Sequence, residues 1–232
     1  MQRCDRVANR IVTHRFGGTA QRFGALAIAA LLVAACTNAS NDNGNQSAHP
    51  TDSSAEVGFA RDMSVHHAQA VAMAEAIRDR TTDPDLKLLA ANIVLGQQNQ
   101  IGRMTGWLDE WGLPISSTNT PMVWMDVTTD ANSADMGSMV MNSSPSATAA
   151  SMPGTATRPQ ISALSTLPID QAEISFLQLM IAHHRGGVQM ASAVLARAQR
   201  PDVRLIATSI VKSQGSEIDL MTQMLARRGA KP

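Results

Sequence analysis

Phe59-Ala-Arg-Asp-Met63-Ser-Val-His66-His67-Ala-Gln-Ala-Val71-Ala-Met73-Ala74 returns later in the chain as Phe176-Leu-Gln-Leu-Met180-Ile-Ala-His183-His184-Arg-Gly-Gly-Val188-Gln-Met190-Ala191. The register continues without a gap over roughly 54 residues, the sign of an internal repeat. It pairs Pro84-Asp85 with Pro201-Asp202, Leu88 with Leu205, Ile93-Val94 with Ile210-Val211, Gln97 with Gln214, Ile101 with Ile218, Met104 with Met221 and Gly112 with Gly229. The chain therefore holds two copies of one unit, each with a His-His-Met set.

At 100° per residue, Phe59, Met63, Ala70, Met73, Ala74 and Ile77 form one stripe, with Arg61, Glu75, Arg78 and Asp79 mostly outside it. That pattern predicts an amphipathic helix over 57–80. Thr82-Asp83-Pro84 breaks it and starts a second helix, because proline is tolerated in a first turn. Leu86, Leu89, Ala90, Ile93, Ile101, Met104 and Leu108 share a face, and Gly112-Leu113-Pro114 ends the unit. The second copy predicts helices from about Asp170 to Arg200 and from Pro201 to Arg228. Strand signals are almost absent, with no tyrosine and 3% aromatic residues. The expectation is an all-α fold, a four-helix bundle with pseudo-twofold symmetry, in which hairpins 57–112 and 168–230 form one domain by closing on each other. Each hairpin is too small to be comfortable alone.

The remaining segments divide by composition. Arg3, Arg6, Arg10, Arg15 and Arg22 precede an apolar run from Phe23 to Ala35, too short to span a bilayer comfortably. Residues 1–35 read as an export signal. The run ends in Val33-Ala34-Ala35-Cys36, which resembles the lipobox of bacterial lipoproteins; that resemblance implies a lipidated Cys36 (acyl chains such as palmitate) and anchoring to the membrane outside the cytoplasm. An ordinary cleaved signal or a membrane anchor is the other reading. Cys4 would leave with the signal, so neither a disulfide nor a cysteine metal cluster is expected. The whole chain is balanced, with 19 basic and 19 acidic residues. Removing residues 1–35 leaves 14 basic against 18 acidic residues, which argues against nucleic acid. Residues 36–56 then read as a disordered tether. The connection at 113–167 is rich in Ser, Thr, Pro, Ala and Met, reads as a long flexible linker, and has room for a short helix at Pro159 to Leu167.

On the helical projection, His66 and His67 flank Met63, and His183 and His184 flank Met180 in the same way. The i,i+3 and i,i+4 spacings let these side chains meet, and Met73 and Met190 share the face. Imidazole and thioether together suit a soft, nitrogen-tolerant ion, above all copper. Methionine at helical spacing is also ordinary core filler, and buried imidazoles demand partners. Gln97 and Gln214 project into the middle of their apolar stripes, with Gln100 and Glu217 nearby at the edge, and they could satisfy the imidazoles as a polar network or act behind a metal. Both readings stay open: a metal-binding protein, or a structural or interaction lipoprotein with a buried His/Gln network and no metal. In the connection, Met136, Met139 and Met141 form an MxxMxM arrangement that favours Cu(I) or Ag(I). The alternative there is that the segment docks on the bundle through Trp124 and its methionines, which include Met122, Met125 and Met152.

The repeated F-x3-M-x2-HH-x3-V-x-MA segments resemble the DUF305 family over nearly everything from Glu56 to Arg228. That resemblance implies a ferritin-like four-helix fold, export, and a copper role for Met63, His66, His67, Met73, Met180, His183, His184 and Met190. The chain departs from the ferritin-like di-iron pattern, which needs two Glu-x-x-His motifs: no Glu here is followed by His three places on. No acid, base or nucleophile stands in a recognisable catalytic arrangement, and no organic cofactor is expected. The expectation is a lipid-anchored extracytoplasmic protein that sequesters copper or hands it on without turnover.

Overall fold

Five helices and one 3-10 turn account for the regular structure in the computed structural model, which describes residues 49–125 and 152–232. α1 spans Ala55–Arg78, α2 Pro84–Glu110, α3 Arg158–Thr166, α4 Ile169–Leu195 and α5 Pro201–Arg227; the 3-10 turn is Val123–Met125. No strand occurs among the described residues. The all-α class read from the sequence is what is seen, with α3 added to the four long helices. None of the described helices is long and apolar enough to cross a membrane.

Local chemistry sets the boundaries. Ser54, extended in its backbone, accepts from the Val57 N–H and caps α1. Asp83 accepts from the Asp85 and Leu86 N–H groups to cap α2, with Pro84 in the first turn. Both hairpins close on a left-handed glycine, Gly112 at φ +69° and Gly229 at φ +68°, a conformation that strains residues with a Cβ. Leu113 then donates to the Leu108 carbonyl and Ala230 to the Leu225 carbonyl, so the two copies end alike. α4 stops at Leu195, short of the Arg200 expected. Pro201 disfavours helical backbone in the residue before it, and the intervening turn is closed by Arg204 reaching the Leu195 and Ala198 carbonyls.

α1 packs along α2, α4 along α5, and the hairpins join through α1 and α4. One apolar cluster combines Ala70–Ile77 of α1 with Leu86–Val94 of α2, Ala172–Ile181 of α4 and Met221–Leu225 of α5. The other combines Val57–Met63, Met104–Trp111, Met190–Val194 and Val203–Ile210. Late α1 thus meets early α4, and early α1 meets late α4, so these helices run antiparallel. The repeat exchanges the clusters: Phe59 lies in one and Phe176 in the other, as do Met63 and Met180, and Met104 and Met221. A pseudo-twofold axis must therefore cross the gap between them. At one end an ion network ties the hairpins together, with Arg228 donating to Asp83 at 2.6 Å and to Glu173 at 2.8 Å, and Thr81 donating to Glu173 at 2.6 Å.

Where it is described, the connection at 113–167 packs on the bundle, as the docking alternative has it, and carries the short helix α3 near the expected place. Trp124 is buried, with its ring edge-on to Phe59 at 6.0 Å, and Asp62 accepts from both the Trp124 indole N–H and the Met122 N–H. Met152 is buried as well, and α3, capped by Thr157 and Gln160, bridges α1 and α4. Single large anchors in a polar run leave no periodic trace. Cys36, Met136, Met139 and Met141 lie outside the described residues.

Candidate metal centre

Between the two apolar clusters lies a polar layer. His66 and His67 come from α1, Gln97 and Gln100 from α2, His183 and His184 from α4, and Gln214 and Glu217 from α5. All four histidines are 0% exposed. Adjacent helical residues point about 100° apart, so one histidine of each pair faces the other hairpin and one faces its own. His66 meets His183 across the pseudo-axis, their ring centroids 3.7 Å apart and tilted by 32°. His67 turns to α2, its Nε2 2.7 Å from Gln100 Oε1, and His184 turns to α5, its Nε2 2.7 Å from Glu217 Oε2.

These partners fix protons. The Pro153 carbonyl, 3.1 Å from His66 Nε2, can only accept, and so can the Glu217 carboxylate. His66 and His184 therefore carry hydrogen on Nε2, and in the neutral His66 ring the lone pair is on Nδ1. Burial pushes His66 down to about 4 and His67 down to about 3, and holds His183 well below the ordinary 6.5. Those three rings are neutral near pH 7, the form that binds metals. Nδ1 of all four histidines, Nε2 of His183 and both amide atoms of Gln97 and Gln214 are buried without a protein partner.

The sequence-predicted residues are thus partly brought together. The histidines and both glutamines share the layer, but Gln97 and Gln214 do not satisfy the imidazoles; Gln100 and Glu217, one turn further on, bind two of them. The four imidazoles do not converge as a set. Among the described residues, no group of three or more His, Cys, Asp or Glu is arranged to hold an ion. Met63, Met73, Met180 and Met190 are each 0% exposed. Met63 and Met190 sit in one apolar cluster and Met73 and Met180 in the other, so thioethers lie on both sides of the layer.

A strap over the layer was missed by reading the repeat alone. Residues 152–157 cross α4, with Pro153 covering His66. Gln69 holds the strap through both atoms of its amide, donating to the Ala156 carbonyl at 3.1 Å and accepting from the Ala156 N–H at 2.7 Å. Gly186 allows the approach: a Cβ there would lie 1.9 Å from the Pro153 oxygen. The signal was the break in the repeat, where Ala68-Gln69-Ala70 becomes Arg185-Gly186-Gly187. The first copy supplies the clamp and the second supplies the room.

Paired hairpins enclosing a layer of four buried imidazoles, with thioethers on either side, make up an all-helical protein. The chain belongs to the DUF305 family: the family model, described as a domain of unknown function, matches residues 56–225. The chain is 44% identical to a crystal structure described as a "putative secreted protein DUF305 from Streptomyces coelicolor", with a TM-score of 0.66 and coverage of 78% of this chain and 98% of that one. It is 27% identical to CopM in the Cu(II)-bound form, TM-score 0.53, over 74% of this chain and 95% of that one. It is also 47% identical over 45 residues to the uncharacterized protein L153 of Acanthamoeba polyphaga mimivirus, a stretch that covers 19% of this chain and spans 30% of that protein.

Proposed function

We propose that this protein is a lipid-anchored, extracytoplasmic copper-binding protein that sequesters the ion or hands it on without turnover. The observation that carries the reading is the layer of four fully buried imidazoles whose Nδ1 atoms lack any protein partner. Leaving a buried polar atom unpaired costs on the order of 1–3 kcal/mol, so a layer with several of them is poorly explained as packing alone. Nitrogen lone pairs beside thioethers are the donors that soft, nitrogen-tolerant ions select. The similarity to CopM, a protein crystallised with Cu(II) bound, supports copper as the cargo. The residues that would hold it are His66, His67, His183 and His184, with Met63, Met73, Met180 and Met190 nearby and Gln100 and Glu217 behind His67 and His184. Met136, Met139 and Met141 form a second, thioether-only candidate set.

Export and anchoring rest on the Arg-rich start, the short apolar run and Val33-Ala34-Ala35-Cys36. The name of the Streptomyces relative agrees with export. Changing Cys36 to Ala is expected to release the protein from the membrane fraction.

Anaerobic titration with Cu(I) against a competing chelator tests the binding. His67→Gln with His184→Gln preserves polarity in the layer and is expected to weaken binding by about tenfold or more. Binding equal to wild type in that variant, and in one with His66 and His183 changed to Phe, would refute the reading. A purely structural layer is favoured by one observation, that three of the four histidines already hold a partner through Nε2. It expects copper to leave the thermal midpoint unchanged, whereas an ion that binds only the folded state raises it.

A further inference from the structure

The outer face of α2 is apolar where solvent would favour polar residues. Leu88 and Gly106 each lie nine residues from the buried Gln97, and Leu95 lies nine from both Leu86 and Met104, which are 0% exposed. Nine residues make two and a half helical turns, so these three side positions point directly away from the core, and Gly102, seven beyond Leu95, shares their face. Leu88 is 62% exposed and Leu95 68%. A Cβ on Gly102 or Gly106 would have nothing within 4 Å.

The second copy shows how this fold builds a face that meets only water. The matching positions of α5 are Leu205, Lys212, Asp219 and Gln223, all exposed. Where α5 has lysine, aspartate and glutamine, α2 has leucine and two glycines. Glycine weakens an exposed helix, and leucine in water forgoes the gain of burial. No contact within this chain accounts for either choice on α2.

Shape and charge together name the occupant. The leucines occupy the first half of the face and the glycines the second. A second α2 laid antiparallel therefore sets Leu95 against Gly102 and Leu88 beside Gly106, where the missing side chains let the backbones approach. α2 also ends on Asp109 and Glu110 with no basic residue in its last turn, against the sense of its helix dipole. The same register brings Lys87 and the positive N-terminal end of the second α2 to Asp109, and does so twice, as a twofold dimer requires.

We infer that the outer face of α2 is a self-association surface, on which a second copy of this chain pairs antiparallel through Leu88, Leu95, Gly102 and Gly106. One helix face is a small interface, of the weak and reversible class. The inference does not depend on ion binding in the imidazole layer.

Analytical ultracentrifugation tests it on residues 36–232, which include every described residue, with Cys36 changed to Ser so that neither lipid nor disulfide joins the copies. A reversible monomer–dimer equilibrium is expected. L95K gives α2 the residue that α5 carries at the matching position, so the fold accepts it; it should weaken the dimer by about tenfold or more while the thermal midpoint is kept. K87D and D109K should each weaken the dimer several-fold. The double variant K87D/D109K should restore it, because an antiparallel pair sets those two positions against each other and a parallel pair does not. A chain that stays monomeric up to about 1 mM, a dimer that L95K leaves intact, or a double charge variant that remains weak overturns the inference. So does a monomer that binds phosphatidylglycerol vesicles through Leu88 and Leu95, which would assign this face to a bilayer.

Discussion

At the scale of the residue, the informative fact is that adjacent histidines in a helix do different jobs. His66 and His183 meet each other across the pseudo-axis, and His67 and His184 each reach a partner on their own hairpin. The inward direction of all four was legible from the 100° step and the apolar stripe. Their partners were less so, because the projection put Gln97 and Gln214 at the stripe centre and Gln100 and Glu217 at its edge. A long side chain at the edge reaches inward more easily than one already inside can turn, and the edge residues make the bonds. Burial holds His66, His67 and His183 below 6.5, with His66 at about 4 and His67 at about 3. As pH falls, the unfolded chain takes up these protons first. The stability they represent is complete above about pH 6.5 and is lost on acidification through about pH 4, His66 alone accounting for on the order of 3 kcal/mol. The metal-free protein should therefore unfold at a lower urea concentration near pH 4.5 than near pH 7.5. An equal midpoint would mean these rings are not held neutral.

At the scale of the element, the strap and α4 fit through missing side chains. Gly186→Ala would put a Cβ 1.9 Å from the Pro153 backbone oxygen, so the strap must move, at about 1–3 kcal/mol. Gly187→Ala would meet the Gln214 side-chain oxygen at 2.3 Å. A flexible side chain yields more easily than backbone, so thermal denaturation should show the smaller loss at Gly187. Lifting the strap also uncovers His66, and faster modification by a histidine-directed reagent in Gly186→Ala is the second readout. At the start of α1, Ser54→Ala removes the cap to the Val57 N–H and should lower stability by about 1 kcal/mol in the same measurement. Helices α1, α2, α4 and α5 were legible because their apolar period and breaks recur twice. Docking of Trp124 and Met152 was legible only as an alternative to a free linker, and the strap and the turn themselves were not, since each rests on one anchor and on small residues in the helix beneath. Gly58 shows this: a Cβ there would lie 2.4 Å from the Trp124 ring, yet nothing in the α1 pattern marks it.

At the scale of the molecule, the repeat makes each hairpin incomplete. Half of each apolar cluster comes from the other copy, and the His66–His183 contact exists only when the hairpins close. A fragment of residues 49–112 should lack a cooperative thermal transition that the whole chain shows. If that fragment folds cooperatively as a monomer, the two copies do not depend on each other. Closure leaves a polar layer across the middle of the core, and the central claim is that this layer holds a metal through Nδ1. The most direct measurement is nitrogen NMR of the imidazoles in the whole, 15N-labelled chain as Cu(I) is added without oxygen. The expected result is a shift of the Nδ1 resonances of His67 and His184 while their Nε2–H groups remain bonded to Gln100 and Glu217. Bound copper that leaves every imidazole nitrogen unmoved would contradict the claim.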